Sequence, residues 1–331
     1  MNHILSSHSP LQARRLFKHL SGQVHADAAS TQINASRHVR EAVKGRLLQA
    51  NSLLTSSDIK TDDNGVWGQF LNINAHSFGD NNATGYQAST RGVLLGVDTP
   101  LIDDWRFGIA TGFTHSKMNN DYGSSADSDN YHLALYLGQQ FGSWSLRGGV
   151  ASAWHNFDTS RSIEEAENAK YTANTRQIFA ETSYRTKTHE TNLEPFANLT
   201  YINFQSNTIN EQGSAAALHG SKQHKDEVLS TIGLRGERHW LVSKTAQLTV
   251  RGELGWQHQY GELARGKSLK FQGSNRPFTV NSVPVARDSA VIKVSAKLPV
   301  STNTSVSLGY AGLLSQHHKE NSVNASLSWR F

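Results

Sequence analysis

The side chains of this 331-residue chain able to make or break bonds are few and scattered. With zero cysteines there is no thiol nucleophile, no disulfide and no Cys-based zinc site. The 16 histidines invite a search for a metal, but His115, His132, His155 and His258 are spread over different predicted strands, and His317 and His318 fall in a predicted loop. No H-E-x-x-H spacing occurs, so neither a metal nor a cofactor is expected. G-x-S-x-G is absent as well. What remains is the Asn34–Ala35 bond, which asparagine cyclisation could cut if a carboxylate such as Glu181 or Glu253 activated a water or polarised the amide. The rival reading is an uncleaved helical asparagine that hydrogen-bonds to its surroundings. Arg147, Glu181, Arg235, Arg251 and Glu253 read more simply as partners of one another and of Arg37, Arg40, Glu41 and Lys44. Such charges are tolerable inside a protein only where the interior is wet or every charge is paired. No enzyme activity is expected of these residues; any such activity belongs to sequence upstream.

Two kinds of element must carry those groups. Residues 23–54 read as one helix, in which Val24, Ala28, Thr31, Ala35, Val39, Val43 and Leu47 recur at three- and four-residue steps. The stripe is thin and built largely of small residues, with Arg37, His38, Arg40, Glu41, Lys44 and Arg46 around it. Such a helix cannot face lipid. It suits a polar pore better than the surface of a sheet. At 1.5 Å per residue, about 28 residues span roughly 42 Å, enough to cross a bilayer's hydrocarbon. Residues 1–22 read as a passenger remnant or lead segment with a short helix. They lack the charged start and apolar core of a signal peptide, so an exported protein would carry further sequence upstream. Residues 55–64 are a polar linker.

From residue 65 to 331 the period becomes two. The terminal stretch is the clearest: Val323, Ala325, Leu327, Trp329 and Phe331 alternate with Ser322, Asn324, Ser326, Ser328 and Arg330. Trp105, Phe107, Ile109 and Phe113 likewise alternate with small or polar neighbours. Large residues on one face and small or polar ones on the other invert the pattern of a soluble barrel filled by its own side chains. They fit a barrel with lipid outside and water within. Residues 193–204 are apolar on both sides, and their facing stays open. About twelve strands result, joined by long polar connections near 77–87, 118–129, 159–170, 206–226, 261–287 and 315–320, which alternate with short ones. Trp67, Trp105, Trp144, Trp154, Trp256 and Trp329 are expected in the lipid-facing girdle.

Composition does not oppose this. Mean hydropathy is -0.51 and no 18-residue apolar window exists, which excludes transmembrane helices but not a barrel, where every second residue faces the lumen. The net charge of +5 comes from scattered Lys and Arg rather than a dense basic run, so nucleic acid is not an expected partner.

The chain resembles the translocator (β) domain of autotransporters, the type V secretion proteins of Gram-negative bacteria. The resemblance runs from Leu20 onward and rests on LSGQVHADAASTQINASRHVREAV (20–43), GVLLGVDTPLIDDWRFGIATGFTHS (92–116), EPFANLTY (194–201), FTVNSVPVARDSAV (278–291) and SLSWRF (326–331), in that order. It implies an all-β, 12-stranded antiparallel transmembrane β-barrel with an N-terminal α-helix through the lumen. It also implies export and anchoring of the protein's own passenger domain, with the long loops and passenger extracellular. Leu327, Trp329 and Phe331 would be the assembly signal read by the barrel assembly machinery after periplasmic chaperones; outer-membrane lipids would surround a monomer. One departure is the absence of the Asn-Asn pair of the self-cleaving serine-protease subgroup. A porin or a surface adhesin barrel is the alternative; the 64 residues before the first strand weigh against the porin, and loop deletion with intact secretion would discriminate the adhesin.

Overall fold

The computed structural model describes residues 17–52, 64–80, 82–102, 105–162, 166–242 and 246–331. Most of the 1–22 lead and nearly all of the 55–64 linker lie outside these residues. Residues 17–20 form a helical turn, and Gly22, at φ +69°, breaks it from helix α1 (Gln23–Ser52). From Gln23 to Lys44 there is neither Gly nor Pro, and alanines recur, so the helix propagates without interruption. Its thirty residues span about 45 Å. No described helix is long and apolar enough to cross a membrane.

Among the described residues seventeen strands follow. They are β1 (Gly65–Ser77), β2 (Tyr86–Pro100), β3 (Arg106–Asn120), β4 (Ser125–Phe141), β5 (Trp144–Ser162) and β6 (Ala166–Tyr184). Next come β7 (Thr186–Thr188), β8 (Thr191–Ser206), β9 (Ile209–Asn210), β10 (Leu218–Gly220), β11 (Gln223–Leu241) and β12 (Gln247–Tyr260). The last are β13 (Arg265–Phe271), β14 (Phe278–Ser282), β15 (Asp288–Pro299), β16 (Thr304–Leu314) and β17 (His318–Arg330). Twelve of these, β1–β6, β8, β11, β12 and β15–β17, form one antiparallel barrel. Closure comes from β1 on β17, with Phe70 opposite Ala325, so that among the described residues each of the twelve barrel strands is paired on both sides. Outward side chains are large and exposed, among them Leu95, Phe113, Tyr131, Trp154, Leu199, Trp256 and Leu327. Inward ones are small, polar or charged, except where large apolar residues such as Tyr86, Leu94, Phe179 and Phe204 meet α1. Along β8 the facing is now fixed: Glu194, Phe196, Asn198, Thr200, Ile202 and Phe204 point inward, and Leu199 and Tyr201 outward.

Three expectations need correction. Trp67 is buried in the lumen, where its Nε1 donates to the Tyr136 hydroxyl at 2.7 Å; Gly96 and Gly108 leave room for two inward aromatics there. The connections expected at 118–129 and 159–170 are largely strand: β3 and β4 leave a turn at 121–124, and β5 and β6 run to Ser162 and from Ala166. His318 is not in a loop but begins β17, buried, with Ser77 Oγ 2.9 Å from its Nδ1. The two longest connections also carry structure of their own. They build a four-stranded outer sheet in the order β14, β13, β10, β9. Leu218, Leu269 and Val280 of this sheet pack on Ala26 of α1.

Candidate functional site

The candidate site is the lumen with α1 inside it. Two apolar contacts seat the helix against β2–β6 and their neighbours. Near its N-terminus Val24, Ala28, Ala29 and Ile33 meet Tyr86, Met118, Phe157 and Phe204. Near its C-terminus Val39, Ala42, Val43 and Leu47 meet Leu94, Tyr136 and Phe179. Small helix residues let the backbone approach this wall, as the sequence stripe requires.

Ala26 packs on the outer sheet, and the charged and amide side chains of α1 are held by polar contacts, arranged in tiers. At the outer mouth His25 Nε2 lies 2.9 Å from Glu211 Oε1, and Arg161 donates to both oxygens of Glu211, at 3.1 and 2.5 Å. The backbone N–H of Leu218 adds a contact to Glu211 at 2.7 Å. Burial alone would push the Glu211 carboxyl up, but the hydrogen bonds from His25 and Arg161 outweigh it and hold it at about 2. Lys267 of β13 donates to Ser206 Oγ at 2.8 Å, and burial pushes its ammonium down to about 8. Arg265 of β13 reaches down to Glu227 at 2.6 Å and to Asn34 Oδ1 at 2.8 Å.

In the middle tier Arg37 donates to Glu320 at 2.5 Å and His38 sits 2.9 Å from the same oxygen, while Arg40 donates to Gln177 at 2.5 Å. Below it, Lys44 pairs with Glu41 at 2.8 Å and Glu181 at 3.3 Å, and Lys293 bridges Glu41 and Glu253. Arg147 and Arg235 both reach Glu181 and Glu194, and Arg235 also donates to Glu253 at 2.6 Å. At the lowest tier Arg46 grips Asp98, which also accepts from Arg106 at 2.5 Å and Tyr136 at 3.1 Å.

The structure thus brings Arg37, Arg40, Glu41 and Lys44 against the wall, and joins Arg147, Glu181, Arg235 and Glu253 in one buried network. Arg251 departs from expectation: it pairs with Glu237 rather than with the helix. Glu181 and Glu253 do not meet Asn34. Glu181 lies at the level of Lys44, ten residues or about 15 Å further along the helix axis. The Asn34–Ala35 bond instead borders a cavity of ≈ 10 Å³ shared with His318 and Glu320, room for about one water. Several contributors were missed. Counting back by twos from Ser322 reaches Glu320 and His318, and forward from Leu94 reaches Asp98, so those three were legible. Glu211 and Arg265 belong to the outer sheet and carried no periodic signal.

A cavity of ≈ 130 Å³ lies on the other flank of α1. Helix residues Arg37, Glu41, Lys44 and Arg46 face Arg235, Arg251, Glu253 and Lys293 across it, beside a wall of Ser295, Ser307, Asn324, Ser326 and Ser328.

Comparison with known proteins agrees with this architecture. A family model described as the autotransporter beta-domain matches residues 66–311. An extracellular serine protease of Serratia marcescens is 48% identical over 328 residues, covering 98% of this chain and 31% of that protein. The chain therefore spans about a third of the length of that relative. Among solved structures, the translocator domain of autotransporter NalP from Neisseria meningitidis superposes with a TM-score of 0.68 at 16% identity, covering 92% of this chain and all of that one. The beta domain of the Bordetella autotransporter BrkA gives 0.63 at 13% identity, covering 82% and 100%.

Proposed function

Because the chain belongs to the autotransporter β-domain family, whose translocator barrels sit in the outer membrane of Gram-negative bacteria, we propose that its lumen exports an N-terminal passenger and that α1 then closes the pore. The observation that carries the closure is that α1 is tied to the wall near both ends, by His25 to Glu211 and by Arg46 to Asp98. In this reading residues 1–22 belong to the passenger side, 23–54 are the plug, 55–64 the link and 65–331 the anchored barrel. The Serratia relative is an extracellular serine protease, and we extend that class to the passenger of this chain.

The finer partners follow from the surface. Trp329 and Phe331 stack outward, ring centroids 4.9 Å apart, beside exposed Leu327. An aromatic terminus of this kind supports recognition by the assembly machinery and delivery by chaperones, and the apolar belt supports a lipid-embedded monomer. Asn34 is read as an uncleaved helical residue. Single-channel recording tests the whole: the intact chain should give a small, mostly closed signal and a version lacking residues 1–53 a large stable one. Equal large conductances would move the helix outside the lumen and favour a porin.

A further inference from the structure

We propose that the plugged barrel still passes small inorganic anions, chloride foremost, along the flank of the lumen that α1 leaves uncovered. The proposal rests on the plug reading above. The apolar contacts of α1 fall on the wall of β2–β6 and the strands beside it, whereas β12 and β15–β17 face the helix across the ≈ 130 Å³ cavity. That cavity is polar and has room for several waters.

Its lining is one-sided in charge. Six guanidinium or ammonium groups border it against two carboxylates, Glu41 and Glu253. Glu320, Asp98 and Glu237, which pair with three of those cations, do not line it. The opposite wall is hydroxyl and amide, which solvates either sign. Arg37 marks the path. It is buried, yet its Nε and Nη1 have no hydrogen-bond partner among the described residues. It borders both this cavity and a second one of ≈ 30 Å³ toward the outer mouth, where Arg40 and Arg265 face a single carboxylate, Glu227. Two idle N–H donors at the junction of two basic cavities are what a partly dehydrated anion needs to step between them. Rings of Arg and Lys select anions in pores by the same means.

The test uses the full chain in planar bilayers with asymmetric potassium chloride. The expected current is small, with a chloride-to-potassium permeability ratio on the order of 3 or more. Ser326→Asp places a carboxylate on the uncharged wall, beside Ser307, where α1 makes a single 3.4 Å contact through the Gln49 amide and no ion pair, and should lower the ratio by about the same factor. Arg37→Gln should lower it too. A ratio at or below unity, no current at all, or a ratio that Ser326→Asp leaves unchanged would each overturn the anion path while leaving the plug in place. A large, weakly selective current from the intact chain would overturn the plug itself, and the path with it.

Discussion

The Arg46 guanidinium straddles the Asp98 carboxylate, Nε to Oδ2 at 2.6 Å and Nη2 to Oδ1 at 2.8 Å, and so fastens the last turns of α1 to β2. Both side chains are buried, and Asp98 also takes Arg106 and Tyr136. Asp98→Asn would leave two guanidiniums converging on a neutral amide, at a cost of about 3 kcal/mol. The expected outcome is longer open dwell times of the full chain in bilayers. Arg46→Lys keeps the charge but loses the fork, and should fall between wild type and Asp98→Asn. Dwell times unchanged in both variants would mean that the tie does not hold the helix.

Tyr136 lies flat over a strand position that has no side chain. A Cβ at Gly108 would come within 2.1 Å of the Tyr136 ring, which Trp67 and Asp98 already pin from the other side. Overpacking of this kind costs about 1–3 kcal/mol. Gly108→Ala should therefore lower the temperature at which the folded band is lost in semi-native electrophoresis, and the double variant Gly108→Ala with Tyr136→Ala should lose less than the single change predicts.

Acid should loosen the outer sheet before it touches the barrel. Glu211 is held at about 2 against an ordinary 4.5, so in the unfolded loop it binds a proton that the docked loop does not. Its contribution is complete above pH 4.5 and disappears as pH falls toward 2, a loss on the order of 3 kcal/mol. The sign for Lys267 agrees: its ammonium, pushed down to about 8 from 10.5, makes docking stronger as pH rises through that interval. Hydrogen exchange at the Leu218 amide, which donates to Glu211, reports the event. Protection that persists unchanged from pH 5 to 2.5 would exclude Glu211 as the acid-sensitive latch.

The barrel was readable because lipid and lumen impose opposite demands on alternate residues, and the lipid-level parts of β3, β4 and β17 follow that alternation. Readability ends where the two solvents become alike. Above the lipid both faces of β3 to β6 meet water or the outer sheet, so 118–129 and 159–170 lose alternation while their ladders continue, Lys117 opposite Asp127 and Asp158 opposite Lys170. Phe196, Ile202 and Phe204 defeat the rule from the other side, because apolar residues face inward wherever α1 or its neighbours offer apolar contact. The helix's charged residues pointed to a polar wall, but which partner each would take depended on strand stagger, and so Arg251 went to Glu237. The outer sheet joins segments some fifty residues apart through short strands, and nothing local in Leu218–Gly220 or Phe278–Ser282 announces it.

Asn34 should survive. Cyclisation needs its Nδ2 to attack its own backbone carbonyl carbon, and the departing Ala35 nitrogen must receive a proton. Nδ2 is buried without a partner, which leaves it available. The other requirements are unmet: the carbonyl belongs to an unbroken helix, Oδ1 is engaged by Arg265, and Glu181 and Glu253 stand two turns or more away. Glu320 borders the bond, but it is held as an acceptor by Arg37 and His38 and has no proton to give. The intact mass of the chain purified from assembled outer membranes should therefore show residues 23–34 still attached. A fragment beginning at Ala35, abolished by Asn34→Ala and slowed at least tenfold by Glu320→Gln, would reverse this reading and make Glu320 the group that activates the bond.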